Sequence, residues 1–269
     1  AASEFRGTMN LVDVLPAFNL TYELRKFDLS TTNLRIAASQ SVARPMFREK
    51  APYSVFDFEV QEQQTGNTDL GRTLINNYDL RLEHFPGLGE IISLSLFYKQ
   101  FDQPIEQVIN STAANVEITW ENVDKAVVYG AEFEVRKSLA GLGEFWQPFG
   151  VGFNLTLVQS QTTIDEEELS LIRATDSDHA DTRPMYGQSP YILNSIVSYD
   201  NDSIGLNVAL SFNIAGPKLV LVTKGGTPDI YEMPRGTMDL SMSKTISERF
   251  SVGFKARNLL NPKYQKTYT

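Results

Sequence analysis

Few residues in this chain have types and spacings that could do chemistry, and most of them are acidic. Asp165, Glu166, Glu167 and Glu168 open a segment that runs on through Asp176, Asp178, His179 and Asp181. Clustered carboxylates supply the hard oxygens that Ca2+ takes, or hold a cationic group. Asp176, Asp178 and Asp181 are the candidate metal ligands. Their spacing matches no defined calcium loop, so a solvated outer loop is the favoured reading of 164–186. Asp178, His179 and Asp181 are also the acid–base candidates for a hydrolase, and no serine-centred motif accompanies them. A second group, Phe47, Arg48, Tyr53, Phe56 and Phe58, falls in 45–71. Aromatic faces with a guanidinium can grip a sugar or another ligand; equally, they can pack on one another over the mouth of the fold. Trp120 lies near Glu117 and Glu121, as a ligand platform or, the favoured reading, an anchor at a membrane interface. Gly225-Gly226-Thr227-Pro228 is turn chemistry and not a phosphate loop, since neither a helix nor Lys-Ser/Thr follows it.

Composition closes off several classes. The 269 residues include no cysteine and two histidines, and the formal charge is −9. Thiolate metal sites, disulfide scaffolds and cysteine nucleophiles are excluded. A His-rich metal site is disfavoured, no cofactor is expected, and nucleic acid is an unsuitable partner for so acidic a chain. No apolar run approaches the ~18 residues of a spanning helix. A transmembrane strand, however, shows only alternate residues to lipid and escapes a hydropathy scan.

The elements that must position these residues have a period of two. In 204–215, Ile204, Leu206, Val208, Leu210, Phe212 and Ile214 alternate with small or polar residues. Tyr78, Leu80 and Leu82 alternate with Asp79, Arg81 and Glu83, and Tyr129, Ala131, Phe133 and Val135 with Gly130, Glu132, Glu134 and Arg136. About ten such strands are expected, near 12–26, 31–44, 72–86, 89–101, 122–139, 146–163, 187–200, 203–216, 231–246 and 249–262. Most exceed the usual ~5–6 residues. Short connections near Phe27–Ser30, Pro86–Gly89, Ala140–Phe145, Asp200–Ser203 and Ile246–Arg249 alternate with long ones at 45–71, 102–121, 164–186 and 217–230. That asymmetry belongs to outer-membrane barrels, and aromatics near the stripe ends suit an interfacial girdle. The polar faces carry Glu23, Arg25, Arg35, Arg81, Glu83, Glu134, Lys255 and others, which a dry core would not tolerate.

Several local words resemble TonB-dependent receptors, especially the Bacteroidetes type. Leu15-Pro16-Ala17-Phe18-Asn19-Leu20-Thr21-Tyr22 is similar to LPxxNLxY, and 33–45 to NLRxxxSxxxxRP. Gly66-Asn67-Thr68-Asp69-Leu70, Asn76-Asn77-Tyr78-Asp79-Leu80, Phe97-Tyr98-Lys99-Gln100-Phe101, Arg183–Tyr191 and Asn258-Leu259-Leu260-Asn261-Pro262 match further words in order.

The resemblance implies an all-β, antiparallel transmembrane barrel segment over 1–269, about ten strands of a barrel of about twenty-two. It implies a piece of a longer receptor without plug, TonB box or final strand, and a start (Ala1–Asn10) that is the tail of an outer loop. It further implies a location in the bacterial outer membrane and a transport function rather than catalysis. The implied ligand is a siderophore, cobalamin, oligosaccharide or peptide; the implied partners are the receptor's own plug, the TonB complex and outer-membrane lipid. The competing readings are a small barrel enzyme built around Asp178 and His179, and a secreted soluble β-rich binding module.

Overall fold

A computed structural model describes residues 9–58, 62–110 and 117–268. Ala1–Thr8, the first part of the expected loop tail, lie outside the described residues. Ten long strands form an antiparallel meander: β1 (Ala17–Phe27), β2 (Ser30–Ala43), β3 (Thr73–Phe85), β4 (Ile91–Asp102), β5 (Lys125–Ser138), β6 (Phe149–Thr163), β7 (Tyr191–Asn201), β8 (Leu206–Ala215), β9 (Thr237–Ser247) and β10 (Phe250–Ala256). Each pairs with its neighbour in sequence, and Thr182–Arg183 adds a short strand beside the end of β6. Among the described residues no helix is long and apolar enough to cross a membrane; any crossing they make is made by these strands.

The register turns the period of two into two continuous faces. Leu20, Ile36, Leu80, Leu96, Ala131 and Leu157 form one row across six strands. The adjacent row toward the long connections is Ala38, Tyr78, Tyr98, Tyr129 and Gln159, and beyond it come Gln40, Asn76, Gln100, Val127 and Gln161. Aliphatic, then tyrosine, then amide is the order that lipid, interface and water impose. At the short-turn end, Phe145, Trp146, Phe149 and Tyr199 stack edge to face, with centroids 5.1–5.6 Å apart for the successive pairs. The other face is polar. Glu83, Ser93, Glu134, Asn154, Asn194, Asn213 and Thr237 form one row over seven strands.

Charge on the polar face is paired. Arg35 Nε donates to Glu83 Oε1 at 2.5 Å, and Arg81 bridges Glu83 Oε2 at 3.1 Å and Glu134 Oε2 at 2.9 Å. Arg136 reaches the other oxygen of Glu134 at 3.4 Å, and Asn154 donates to Glu132 at 2.6 Å. A chain of alternating charges leaves the inner carboxylates compensated, as burial requires.

Three expectations change. A bulge between Glu23 and Arg25 places Arg25 opposite Thr32, one step out of phase, so Arg25 leaves the polar face that Glu23 occupies. The strand expected over 249–262 stops at Ala256, because Asn258 and Asn261 take positive φ values of 54° and 43°; that conformation ends pairing, and Asn among non-glycine residues tolerates it best. The long connections are not plain loops: they contain a second sheet and two short helices.

Candidate functional site

The second sheet is built almost wholly from the long connections. Its order is Lys266–Tyr268, Ile230–Glu232, Lys218–Thr223, Ile105–Asn110, Glu117–Asn122, Glu62–Thr65 and Ser54–Asp57. Two of its junctions are parallel, Lys218–Thr223 with Ile105–Asn110 and Glu62–Thr65 with Glu117–Asn122, so loops distant in sequence are joined backbone to backbone. The cause is local: Lys-Leu-Val-Leu-Val-Thr and Ile-Glu-Gln-Val-Ile-Asn are rich in β-branched residues. Both faces of this sheet are packed. Val108, Leu219 and Val222 cluster with Tyr231 on one side, and Ile109, Ile118 and Leu221 with Ile230 on the other. Loops with their own core form a rigid roof over the end of the wall.

A buried polar cluster fastens this roof to the wall. Glu106 is 1% exposed and takes both guanidinium nitrogens of Arg183, which projects from the strand beside β6. The same carboxylate accepts the Tyr186 amide at 3.3 Å, and Tyr186 Oη donates to Gln107 at 3.2 Å. Asp229 accepts the Thr223 amide at 2.9 Å. Burial holds the Asp229 carboxyl above its ordinary value, and nearby Glu106 adds to the effect. Below the roof, Asp13 ties the loop entries together, pairing with Arg44 at 2.8 Å and with Arg72 at 2.7 Å.

Against this cluster lies a cavity of about 560 Å3. Its carboxylates are Glu106, Glu117, Glu121, Asp124, Asp165, Glu167 and Glu168; its cations are Arg183 and Lys224, the latter paired with Glu121. The acidic stretch read from sequence as an open loop forms one wall of this cavity. It includes a helix, Glu166–Arg173, capped by Asp165, whose carboxylate accepts the Glu167 amide at 2.9 Å. Gly225 and Gly226, at φ 80° and 70°, present successive amides to the Glu168 carboxylate, each at 3.0 Å. The Gly-Gly turn is therefore an anion nest, filled by a carboxylate of the chain itself.

The other expected site residues are dispersed. Phe47 and Phe58 are 89% and 85% exposed. Phe56 and Phe58 stack edge to face at 5.1 Å, and Arg48 contacts Tyr53 Oη at 3.4 Å and Gln64 at 2.7 Å. Contacts within the loop thus link Arg48 to Tyr53 and Phe56 to Phe58, and leave the Phe47 ring exposed. Trp120 sits inside the second sheet opposite Gln107, and its carbonyl accepts from Asn67 at 2.9 Å. Asp176, Asp178 and Asp181 follow the helix; among the described residues no group of three or more His, Asp or Glu side chains could hold a metal ion. His179 turns its Nδ1 to the Ala180 carbonyl at 2.8 Å. Sequence reasoning missed Glu106, Arg183 and Asp229. The available signal was Arg183 in its Arg-Pro-Met-Tyr-Gly word and a glutamate within an otherwise strand-like run.

Comparison with known proteins agrees with this architecture. No curated protein matches the chain. The siderophore receptor PirA of Pseudomonas aeruginosa superposes with a TM-score of 0.59 at 20% identity, covering 93% of this chain and 39% of that one. A variant of the ferric enterobactin receptor PfeA of the same organism gives 0.58 at 18%, covering 91% and 34%. The copper transporter OprC gives 0.62 at 15%, covering 94% and 35%. The chain thus spans between a third and two-fifths of the length of these structures, and at such identities the likeness concerns the fold. The family model described as "TonB dependent receptor-like, beta-barrel" matches residues 3–259. With a lipid-type face, a charged opposite face and a roof of joined outer loops, this chain belongs to the β-barrel family of TonB-dependent receptors, proteins of the Gram-negative outer membrane.

Proposed function

We propose that this chain supplies wall strands and outer loops to a receptor that takes up a scarce or bulky nutrient by TonB-dependent transport. The observation that carries the reading is the two-faced wall: an aliphatic, tyrosine-edged face against lipid, and an ion-paired face against a wet lumen that the receptor's own plug would fill. Ligand is captured at the outer mouth and released to the periplasm when the TonB complex acts on the plug. Siderophores, cobalamin, oligosaccharides and peptides remain in range. The carboxylates around the roof cavity favour a neutral or cationic ligand over a polyanion at that point. We infer capture rather than catalysis: the acid–base candidate His179 is engaged with a backbone carbonyl, and no serine-centred motif accompanies it in the sequence. The test is growth on a limiting nutrient, with the receptor gene intact or deleted and TonB active or inactive. Growth that needs both supports the reading; growth that needs the receptor but not TonB contradicts it.

A further inference from the structure

The lipid side of the wall is not wholly apolar, and its charged residues are unevenly placed. The bulge in β1 turns Arg25 onto that side, where the register sets it in one row with Thr32, His84, Ile92, Val135 and Phe153. Lys137, opposite Val151, and Lys244, between Leu206 and Val252, share the side. These bases lie next to the short turns, the periplasmic end of a barrel of this type. Among the described residues no strand carboxylate faces lipid at that end. The acid on this side, Asp102, stands opposite Lys125 at the end with the long connections. The chain carries a formal charge of −9, so a basic margin runs against its composition.

A base on a lipid-facing strand is tolerated where its long side chain reaches the headgroups. Tolerance alone does not select bases, because acids on that face cost less. Attraction to anionic headgroups does. The partners already present differ along the margin. Lys137 pairs at 2.6 Å with Glu90, a turn carboxylate that also accepts the Ser138 amide at 3.1 Å. The Lys244 ammonium donates to the Ile204 carbonyl. Arg25 has no hydrogen-bond or ion-pair partner among the described residues. Beside it, Thr32 Oγ1 and His84 Nδ1 share a hydrogen bond of 2.9 Å that holds the imidazole on this margin. A guanidinium next to a hydroxyl and an imidazole suits the oxygens of a phosphodiester.

We propose that this margin binds anionic phospholipid of the periplasmic leaflet, with Arg25 as the principal anchor. The occupant is a diacyl phosphodiester without an amine, of the phosphatidylglycerol class. A zwitterionic headgroup such as phosphatidylethanolamine brings its own ammonium, and Glu90, the turn carboxylate at this margin, is already taken. Lipid is the source of the phosphate, because its acyl chains lie against the stripe of Tyr22, Leu34 and Leu82 in the adjoining row. The inference rests on the assignment of faces and goes beyond the transport reading.

The test uses the full receptor in phosphatidylcholine bilayers, where β1 has its neighbouring strand. Equal fractions of phosphatidylglycerol or phosphatidylethanolamine with brominated chains serve as quenchers. Phe27→Trp puts a fluorescent reporter on the lipid side near Arg25, and the emission of the parent receptor is subtracted. Tyr98→Trp puts the same reporter at the other end of that face. The expected result is stronger quenching by phosphatidylglycerol at position 27 and no such preference at position 98. Arg25→Gln should lower the local association constant for phosphatidylglycerol by about fivefold. Lys125→Gln, at the far end of the face, should leave it unchanged. Arg25→Lys keeps the charge and should keep most of the preference. Folding of each variant is checked by its heat-dependent gel migration. Equal quenching by the two lipids at position 27, an equal preference at both reporters, or a preference indifferent to Arg25→Gln overturns the proposal. Equal losses in Arg25→Lys and Arg25→Gln overturn charge as its basis. TonB-independent growth overturns the transport reading alone and leaves this one standing.

Discussion

At the scale of single residues, the roof depends on a few buried charges. Glu106 and Arg183 are almost wholly removed from water, with side-chain exposures of 1% and 12%. Removing one partner strands the other, which typically costs about 3–5 kcal/mol. Arg183→Met should therefore open the roof while leaving the wall intact, seen as loss of hydrogen-exchange protection in 105–110 and 218–223 but not in β3–β6. Unchanged protection there would show that the pair is dispensable. Asp229 acts in the opposite sense. Burial raises its folded-state affinity for a proton, so its favourable contribution is complete at pH below the ordinary carboxylate range and is lost as pH rises through the elevated value. Protection of 218–232, corrected for intrinsic exchange, should fall as pH rises above the ordinary carboxylate range. Asp229→Asn, which keeps an oxygen for the Thr223 amide, should flatten that dependence and stabilise the roof at neutral pH. A wild type with pH-independent protection would contradict this account. None of these three residues stands out in the sequence, because pairing partners that lie 77 residues apart meet only after the meander has formed.

At the scale of elements, the wall was the legible part. Alternation in 78–83, 92–99, 129–136 and 204–215 reads directly as strands, since one face must be apolar and the other polar throughout. The row of Leu20, Ile36, Leu80, Leu96, Ala131 and Leu157 follows from those patterns once neighbours pair. Leu96→Arg should accordingly destabilise the folded barrel in lipid by about 2–4 kcal/mol, measured by denaturant unfolding in bilayers. Ser95→Arg on the other face should cost far less, and equal costs would remove the basis for assigning the faces. The roof was not legible in the same way. Its strands are three to six residues long, two of its junctions are parallel and distant in sequence, and short runs such as Glu62–Thr65 carry no apolar period. The bulge at Glu23–Arg25 was equally hidden, because an extra residue changes phase without changing composition.

For the molecule as a whole, the wall leaves the backbone edges of β1 and β10 unpaired among the described residues. Backbone polar groups cannot stay unsatisfied in lipid, so in the assembled receptor those edges must meet further strands. The chain alone should therefore fail to insert as a closed, heat-modifiable barrel, whereas the full receptor should migrate differently before and after boiling. A chain that inserts and closes unaided would revive the small-barrel reading. The overall location follows from pattern and family together, but the apolar patch of Phe97, Phe101, Val128 and Val158 on the polar side did not emerge from sequence. Phe97 and Phe101 belong to a familiar strand word; alternation in 92–99 already sets Phe97 opposite Tyr98, and the register adds that its side is the one that carries Arg81 and Glu134.

The assignment of faces is the central claim, and one measurement reaches it directly. The chain has no cysteine of its own, so spin labels can be placed singly at 93 through 98 along β4, in a full receptor from which any cysteine elsewhere has been replaced, in bilayers. Collision with oxygen reports lipid, and collision with a water-soluble nickel chelate reports the aqueous lumen. Labels at positions 94, 96 and 98 should be accessible to oxygen, and those at 93, 95 and 97 should not, with a period of two. No alternation, or alternation in the opposite phase, would contradict the wall described here.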